Sequence, residues 1–383
     1  MKKVRLSSIA AVNAGGTPSR SNLSYWNGDI PWVKISDIQG KHVQTYEEAI
    51  TDEGLKNSSA KLFYKGTILY TIFATLGRVG ILDFDATTNQ AIAGINILDE
   101  TIDCDYLYYF LRSQEKKVKA IGKGAAQQNI NLKILRDWLV PIRSKEEQTN
   151  IVGSLEKIES AISAKTELLN SLDFLVKSRF MEMFPNWDLS LQMPDWVQLG
   201  TLTKIYTGTT PKTDQKDFWG GDIPWVTPAE LDSDSYIVSD TERHITEAGR
   251  ASKSLSLMPV GTVLLSTRAP IGKVAICGTP MTCNQGFKNF ECGNKLNPTF
   301  LYVLLKLNVE WLQSQGTGAT FKEISKTKAG SIRIHVPSIE SQTKFESFYK
   351  LIDKSRFIVQ SQIKDLQELL DSKMDEYFGG DEG

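Results

Sequence analysis

Cysteine is scarce in this chain: Cys104, Cys277, Cys283 and Cys292 are the only four in 383 residues, and no CxxC pair occurs. That spacing offers neither a disulfide framework nor a zinc site, and reduced thiols in a cytoplasmic protein are the expectation. Histidine is scarcer still. His42, His244 and His335 are scattered, so a nucleophile–base pair has no anchor, and no catalytic or metal-binding residue is expected. No run of 18 apolar residues occurs, which excludes an ordinary membrane helix. The one apolar stretch near the start, Ile9 to Val12, is too short for the core of a signal peptide. A glycine-rich loop placed after a strand to cradle a nucleotide is also missing, so no cofactor is expected. Charge of either sign is not in excess: the formal net charge is −1, which singles out no partner. The positive surplus nevertheless falls in residues 1–143 and 186–338, and the negative surplus in the segment after each. This pattern permits nucleic-acid binding by the first kind of segment.

What is present is a second copy of the same text. With an offset of 193, "GGTPSRSNLSYWNGDIPWV" (15–33) lies over "GTTPKTDQKDFWGGDIPWV" (208–226) without a gap. At 195, "GTILY…ATLGRVG" (66–80) meets "GTVLL…APIGKVA" (261–275), and Asn89-Gln90 meets Asn284-Gln285. At 194, "YLYYFLRS" meets "FLYVLLKL", Gln148-Thr149 meets Gln342-Thr343, and "SRFMEMF" meets "SKMDEYF". Register held this long identifies a tandem duplication.

Each half has two parts. The first is rich in short apolar runs divided by Gly and Pro, such as "GTILYTIF", "VGILDF", "GTVLLST" and "IRIHVP", which read as strands. "CDYLYYFLRSQEKKVKAI" and "PTFLYVLLKLNVEWLQ" carry helical spacing. The expected fold is therefore α+β, with globular domains at residues 1–144 and 185–338. The second part is a long helix, 145–184 in one half and 339–379 in the other. Leu155, Ile158, Ile162, Leu169, Leu172 and Val176 fall on steps of three and four, with Lys165 the break; Ile352, Val359, Ile363, Leu366 and Leu370 repeat the stripe, broken by Arg356. So narrow a stripe suits a partner helix, and the two copies suit each other as an antiparallel coiled coil. Some 35 residues make a rod of roughly 50 Å. The plainer reading is a surface helix with a core-facing stripe.

Two α+β domains, each followed by a long helix and each opened by "GTP…W…GDIPWV", resemble the specificity subunit of a type I restriction-modification enzyme. The "GTILYT…GRVG" and "GTVLLST…IGKVA" strands and the "VPIRSKEEQ" and "VPSIESQ" entries into the helices share in the likeness, which covers essentially the whole chain. The resemblance implies two pseudo-two-fold related recognition domains, each reading one half of a split target in double-stranded DNA, with the paired helices as a ruler. It implies as partners two methyltransferase subunits, which supply S-adenosylmethionine chemistry on adenine, and motor-nuclease subunits; the subunit itself is not an enzyme. Half-sites read from one face of a duplex lie about 34 Å apart or a multiple of it, which suits such a rod.

Two domains that read different sequences need different side chains for direct readout. Motifs common to both halves are therefore scaffold or phosphate contacts: Pro31-Trp32-Val33 and Pro224-Trp225-Val226 suit a buried strand, Asp29 and Asp222 a turn. The divergent segments 34–48 and 227–243 hold the base-reading candidates Lys34, Ser36, Asp37, Gln39, Lys41 and Gln44, and Thr227, Glu230, Ser235, Tyr236 and Arg243. Those after the Gly-Thr-Pro turn are Ser19, Arg20 and Asn22, against Lys212, Thr213 and Gln215. Phosphate-approaching candidates are Lys123, Gln127, Gln128 and Asn129 in one Gly-rich loop, Lys322 in the other, and Arg78, Lys253, Arg268 and Lys273. A solvated surface role is the plain alternative for each of them. Asn297-Pro298-Thr299-Phe300 resembles an amino-methyltransferase motif, but a helix cap followed by Pro at the first helical position explains it better. The competing function is a duplicated protein-interaction scaffold that binds no nucleic acid.

Overall fold

The computed structural model describes residues 2–115, 117–118, 130–232, 235–268, 270–318 and 322–379. Contacts divide the chain into two units, Met1–Thr166 with Ser361–Gly383, and Glu167–Gln360. Each unit thus combines a globular domain with parts of both long helices, where the sequence pattern kept domains and helices as separate segments.

In the first unit, beyond a short pairing of Lys3–Arg5 with Leu139–Pro141, the strands are β1 (Ala10–Ala14), β2 (Trp26–Val33), β3 (His42–Val43), β4 (Glu48–Ile50), β5 (Ile68–Thr71), β6 (Val79–Leu82), β7 (Thr87–Thr88) and β8 (Ile92–Ile97). They form a sheet ordered β1-β8-β5-β6-β3 and a smaller one ordered β4-β2-β7. Pairing is antiparallel except for β2 with β7 and β3 with β6. The second unit holds β9 (Thr203–Thr207), β10 (Trp219–Val226), β11 (Ile237–Val238), β12 (His244–Ile245), β13 (Val263–Thr267), β14 (Ile271–Cys277), β15 (Thr282–Cys283) and β16 (Lys288–Cys292). Their orders, β9-β16-β13-β14-β11 and β12-β10-β15, reproduce the first unit strand for strand. Every residue of β5 and of β13 is buried, which is why these strands read as unbroken apolar runs.

The helices of interest are α1 (Cys104–Ser113), α2 (Lys145–Met183), α3 (Pro298–Leu307) and α4 (Ile339–Phe378). Asp103 caps α1, its carboxylate accepting from the Tyr106 N–H at 2.9 Å. Asn297 caps α3 by accepting from Thr299 at 2.8 Å, with Pro298 at the first turn. Capping, not methyl transfer, accounts for the Asn-Pro pair.

Both long helices enter both cores. In the first unit Ile151, Val152 and Leu155 of α2 and Leu370, Met374 and Phe378 of α4 join one cluster with α1 and the larger sheet, and Ile158 and Ile162 pack against it. In the second, Val176, Phe180 and Phe184 of α2 meet Phe345 and Tyr349 of α4, with Ile352 packed alongside. Residue numbers rise along α2 as they fall along α4, so the helices run antiparallel. None of the eleven stripe residues is exposed: Leu155, Val176, Val359 and Leu370 are buried, and Leu169, Leu172, Ile363 and Leu366 are half-buried. The break at Arg356 is an interhelical ion pair, its guanidinium 3.3 Å from Asp173 Oδ1 with only 8% of the side chain exposed.

The entry into each long helix is secured by a buried glutamine. Gln148 Nε2 donates to the Thr101 and Arg143 carbonyls at 2.9 and 3.0 Å, and its Oε1 accepts from the Asp103 N–H at 2.8 Å. Gln342 repeats the arrangement with the Lys295 and Pro337 carbonyls at 3.0 and 2.8 Å and the Asn297 N–H at 2.8 Å. Each amide ties a long helix to the cap of the short helix beside it. Replacing it strands three partly or fully buried backbone groups. Gln342→Ala is expected to destabilise the second unit by about 3 kcal/mol in urea unfolding. A loss below about 1 kcal/mol would contradict the buried-amide account.

Candidate nucleic-acid interface

The motifs common to both halves interlock. Trp26 and Trp32 meet edge to face with ring centroids 5.1 Å apart, and Trp219 and Trp225 do so at 5.0 Å. Their indole N–H groups donate to the Gly-Thr-Pro loop: Trp32 to the Gly16 carbonyl at 3.0 Å and Trp26 to Ser19 at 3.1 Å. In the second unit Trp225 donates to Thr209 at 3.1 Å and Trp219 to Lys212 at 3.0 Å. The same loop is also held by the glutamine of the Asn-Gln pair, Thr17 Oγ1 donating to Gln90 Oε1 at 2.5 Å and Thr210 Oγ1 to Gln285 Oε1 at 2.7 Å. Only glycine fits where the loop crosses the sheet: a Cβ on Gly15 would lie 2.4 Å from the Thr88 carbonyl oxygen, and one on Gly208 only 1.9 Å from that of Cys283. Asp29 and Asp222 sit in a bulge, because Trp26 and Ile30 both face Ile50, and Trp219 and Ile223 both face Ile245. Shared letters are thus a frame. It presents the loops in which the halves differ.

Several candidate readers are engaged inside that frame. Asp37 is buried, and its carboxylate accepts from the Lys34 N–H at 2.8 Å, closing a 3-10 turn. Glu230 does the same for Thr227, at 2.6 Å to the N–H and 2.7 Å to the hydroxyl. Tyr236 is buried with its hydroxyl 2.9 Å from that of Thr299. Asn22 caps a turn at Ser24. Arg78 donates to the Ile35 and Ile38 carbonyls at 3.0 and 3.3 Å, and Lys273, its repeat mate, to Pro228 at 2.8 Å. Both cations therefore hold the turn that follows the Trp-Val strand. Arg268 lies 3.8 Å from Glu323. Ser235 bonds Asp232 at 2.9 Å.

Others face solvent: Ser19, Ser36, Gln39 and Gln44 in the first unit, and Lys212, Thr213, Gln215, Arg243, Lys253 and Lys322 in the second. Gln39 folds back to the Ser36 carbonyl at 3.2 Å, and Gln44 donates to Asp83 at 3.0 Å. Lys123, Gln127, Gln128 and Asn129 lie outside the described residues.

The carboxylates that organise the first unit were missed, since each partner is remote in sequence. Lys34 pairs with Glu47 and Glu48 at 2.6 and 3.0 Å. Arg20 hydrogen-bonds Glu48, and its guanidinium holds that carboxyl below the usual range. Lys41 reaches Glu156 of α2 at 2.6 Å and Asp105 of α1 at 2.9 Å. Burial works to lower its pKa, but the two carboxylates together raise it. Arg112 and Tyr109 both bind Glu159, one turn further along α2. Lys41, Arg78, Arg112 and Glu159 line a cavity of about 670 Å³ whose cations thus already have partners. Burial pushes the thiols of Cys277, Cys283 and Cys292 up to about 12, so they are protonated at neutral pH. Among the described residues no three His, Cys, Asp or Glu side chains gather to hold a metal, and no helix is long and apolar enough to cross a membrane.

A family model described as "Type I restriction modification DNA specificity domain" matches residues 1–173 and again 193–367, one match per half. The chain belongs to this DNA specificity family. It is 38% identical over 185 residues to the specificity subunit of the type I restriction enzyme MjaIX of Methanocaldococcus jannaschii, a match that spans 47% of this chain and 43% of that subunit. A chain from a study of complex assembly and conformational transition in a type I R-M system superposes with a TM-score of 0.65 at 19% identity, covering 99% of this chain and 98% of that one. The type I S subunit of M. genitalium gives 0.54 at 18%, covering 97% and 94%. These likenesses establish the fold: two α+β domains joined by helices.

In this specificity-family chain, Lys41 fastens the divergent loop 34–48 to α2. A double-mutant cycle of Lys41→Met and Glu156→Gln is expected to yield a coupling of about 1 kcal/mol in unfolding experiments. Additive effects within about 0.3 kcal/mol would contradict the brace.

Proposed function

We propose that this chain is the non-catalytic DNA-recognition subunit of a type I restriction-modification enzyme. Each unit reads one half of a split target, and α2 and α4 set the gap between the halves. Two methyltransferase subunits and motor-nuclease subunits are its partners and carry the chemistry. One observation carries this reading: a single frame, repeated strand for strand, presents loops that differ between the copies at the same places. Identical frames with unlike loops suit two readers of unlike sequences, because each base pair offers its own pattern of donors and acceptors. The exposed amides and hydroxyls of Gln39, Gln44, Ser36, Thr213 and Gln215 are the chemistry that base edges engage. Helices rooted in both cores give the spacing a stiff determinant.

Adding four residues to both α2 and α4 at matched positions lengthens each helix by about 6 Å. Methylome sequencing of cells carrying this variant is expected to show a longer gap between unchanged half-sites. Changed half-sites with an unchanged gap would refute the ruler. Absence of a salt-dependent shift of duplex DNA, alone or with partner subunits, would favour a protein-interaction scaffold instead.

A further inference from the structure

Both units lay a guanidinium on the paired tryptophans, and they do so from different places in the chain. Arg20 Cζ lies 3.7 Å from the Trp26 ring centroid and 4.9 Å from that of Trp32. Arg243 Cζ lies 3.6 and 5.2 Å from Trp219 and Trp225. Yet the repeat mate of Arg20 is Thr213, and Arg243 is not in a matching loop. Ile50 and Ile245 are equivalent through their pairing with Trp26 and Trp219, so Arg243 stands in the place of Glu48.

The consequence is electrostatic. In the first unit the stacked cation comes from the loop and an anion from β4: Glu48 accepts from Arg20 and also binds Lys34. In the second unit the strand position supplies the cation itself, and Thr227 replaces Lys34. Among the described residues no carboxylate or carbonyl accepts from the Arg243 guanidinium, although the side chain is held flat and exposed. It lines a cavity of about 360 Å³ with Trp219, Gly220, Gly221, Glu242 and His244. His244 is 2.9 Å from Asp240, and among the described residues no carboxylate, Glu242 included, lies within 4 Å of the Arg243 guanidinium nitrogens. Stacking fixes the plane of the guanidinium while leaving its N–H edge open to a tetrahedral oxyanion.

Resting on the DNA reading above, we propose that Arg243 is a phosphate clamp for the DNA backbone, and that Glu48 fills the corresponding place in the first unit as a built-in anion. The two units therefore grip the duplex unequally. Arg243 contributes a contact that carries no sequence information, and Arg20 contributes none while Glu48 is charged.

The test is the salt dependence of DNA binding by the full chain, with its partner subunits where these are needed for binding. R243Q is expected to weaken binding to cognate and random duplexes alike, about three- to tenfold at low salt, and to reduce the slope of log K against log salt by about 0.9. E48Q, which removes the built-in anion, is expected to raise that slope by a similar amount, and R20Q in the native background to leave it unchanged. An unaltered slope in R243Q, or a loss confined to the cognate duplex, would overturn the clamp. Inorganic phosphate at constant ionic strength is expected to compete weakly with DNA for the native chain, and competition of the same strength in R243Q would overturn the assignment to Arg243. If the native protein binds no DNA at all, the underlying reading fails instead.

Discussion

Neither recognition core closes without both long helices. Phe378, at the end of α4, packs against Tyr106 of α1 at 5.3 Å, and Phe184, at the end of α2, packs against Phe300 of α3 at 4.9 Å. Tyr106 and Phe300 are repeat mates, as are Phe378 and Phe184. Burying side chains of this size is worth several kcal/mol each, which is a large part of a domain's net stability. Each helix begins beside its own domain and ends in the core of the other unit, so the antiparallel pairing follows from core filling. The 3.5-residue stripe alone would allow other pairings. Arg356 and Asp173 add a polar contact within that pairing.

The second constraint is local and explains why so many letters recur. Two indoles, a Gly-Thr-Pro turn and a glutamine form one hydrogen-bonded lattice, with a glycine where the backbone comes too close for a side chain. Altering any one part strands a partner. The loops hung from this lattice carry no such obligation, and there the halves diverge: Lys34 against Thr227, and Glu48 against Arg243. On the proposed reading, function lives where the frame permits change.

The repeat made the architecture legible, since residues sharing an offset of 193–195 share a place in the fold. The buried Trp-Val strand and the Asn297 cap followed from residue chemistry alone, whereas Asp29 and Asp222, expected in a turn, lie in a bulge within the strand. The site was less legible. Polar residues in a divergent loop look alike in sequence whether they face solvent or the fold, and Asp37 and Tyr236 turned inward. Lys41 looked suited to base edges and Arg78 and Lys273 to phosphate, yet the first meets a carboxylate 115 residues away and the other two meet carbonyls some 40 away. Such partners are set by tertiary structure, and no local pattern announces them.

The central claim is that one frame, used twice, reads two unlike half-sites across a gap set by helices. Mapping methylated positions in the genome of cells that carry the native chain and its partner subunits tests this most directly. The account requires two dissimilar half-sites separated by a constant number of unread base pairs. A single continuous target, or a palindrome with identical halves, would contradict it.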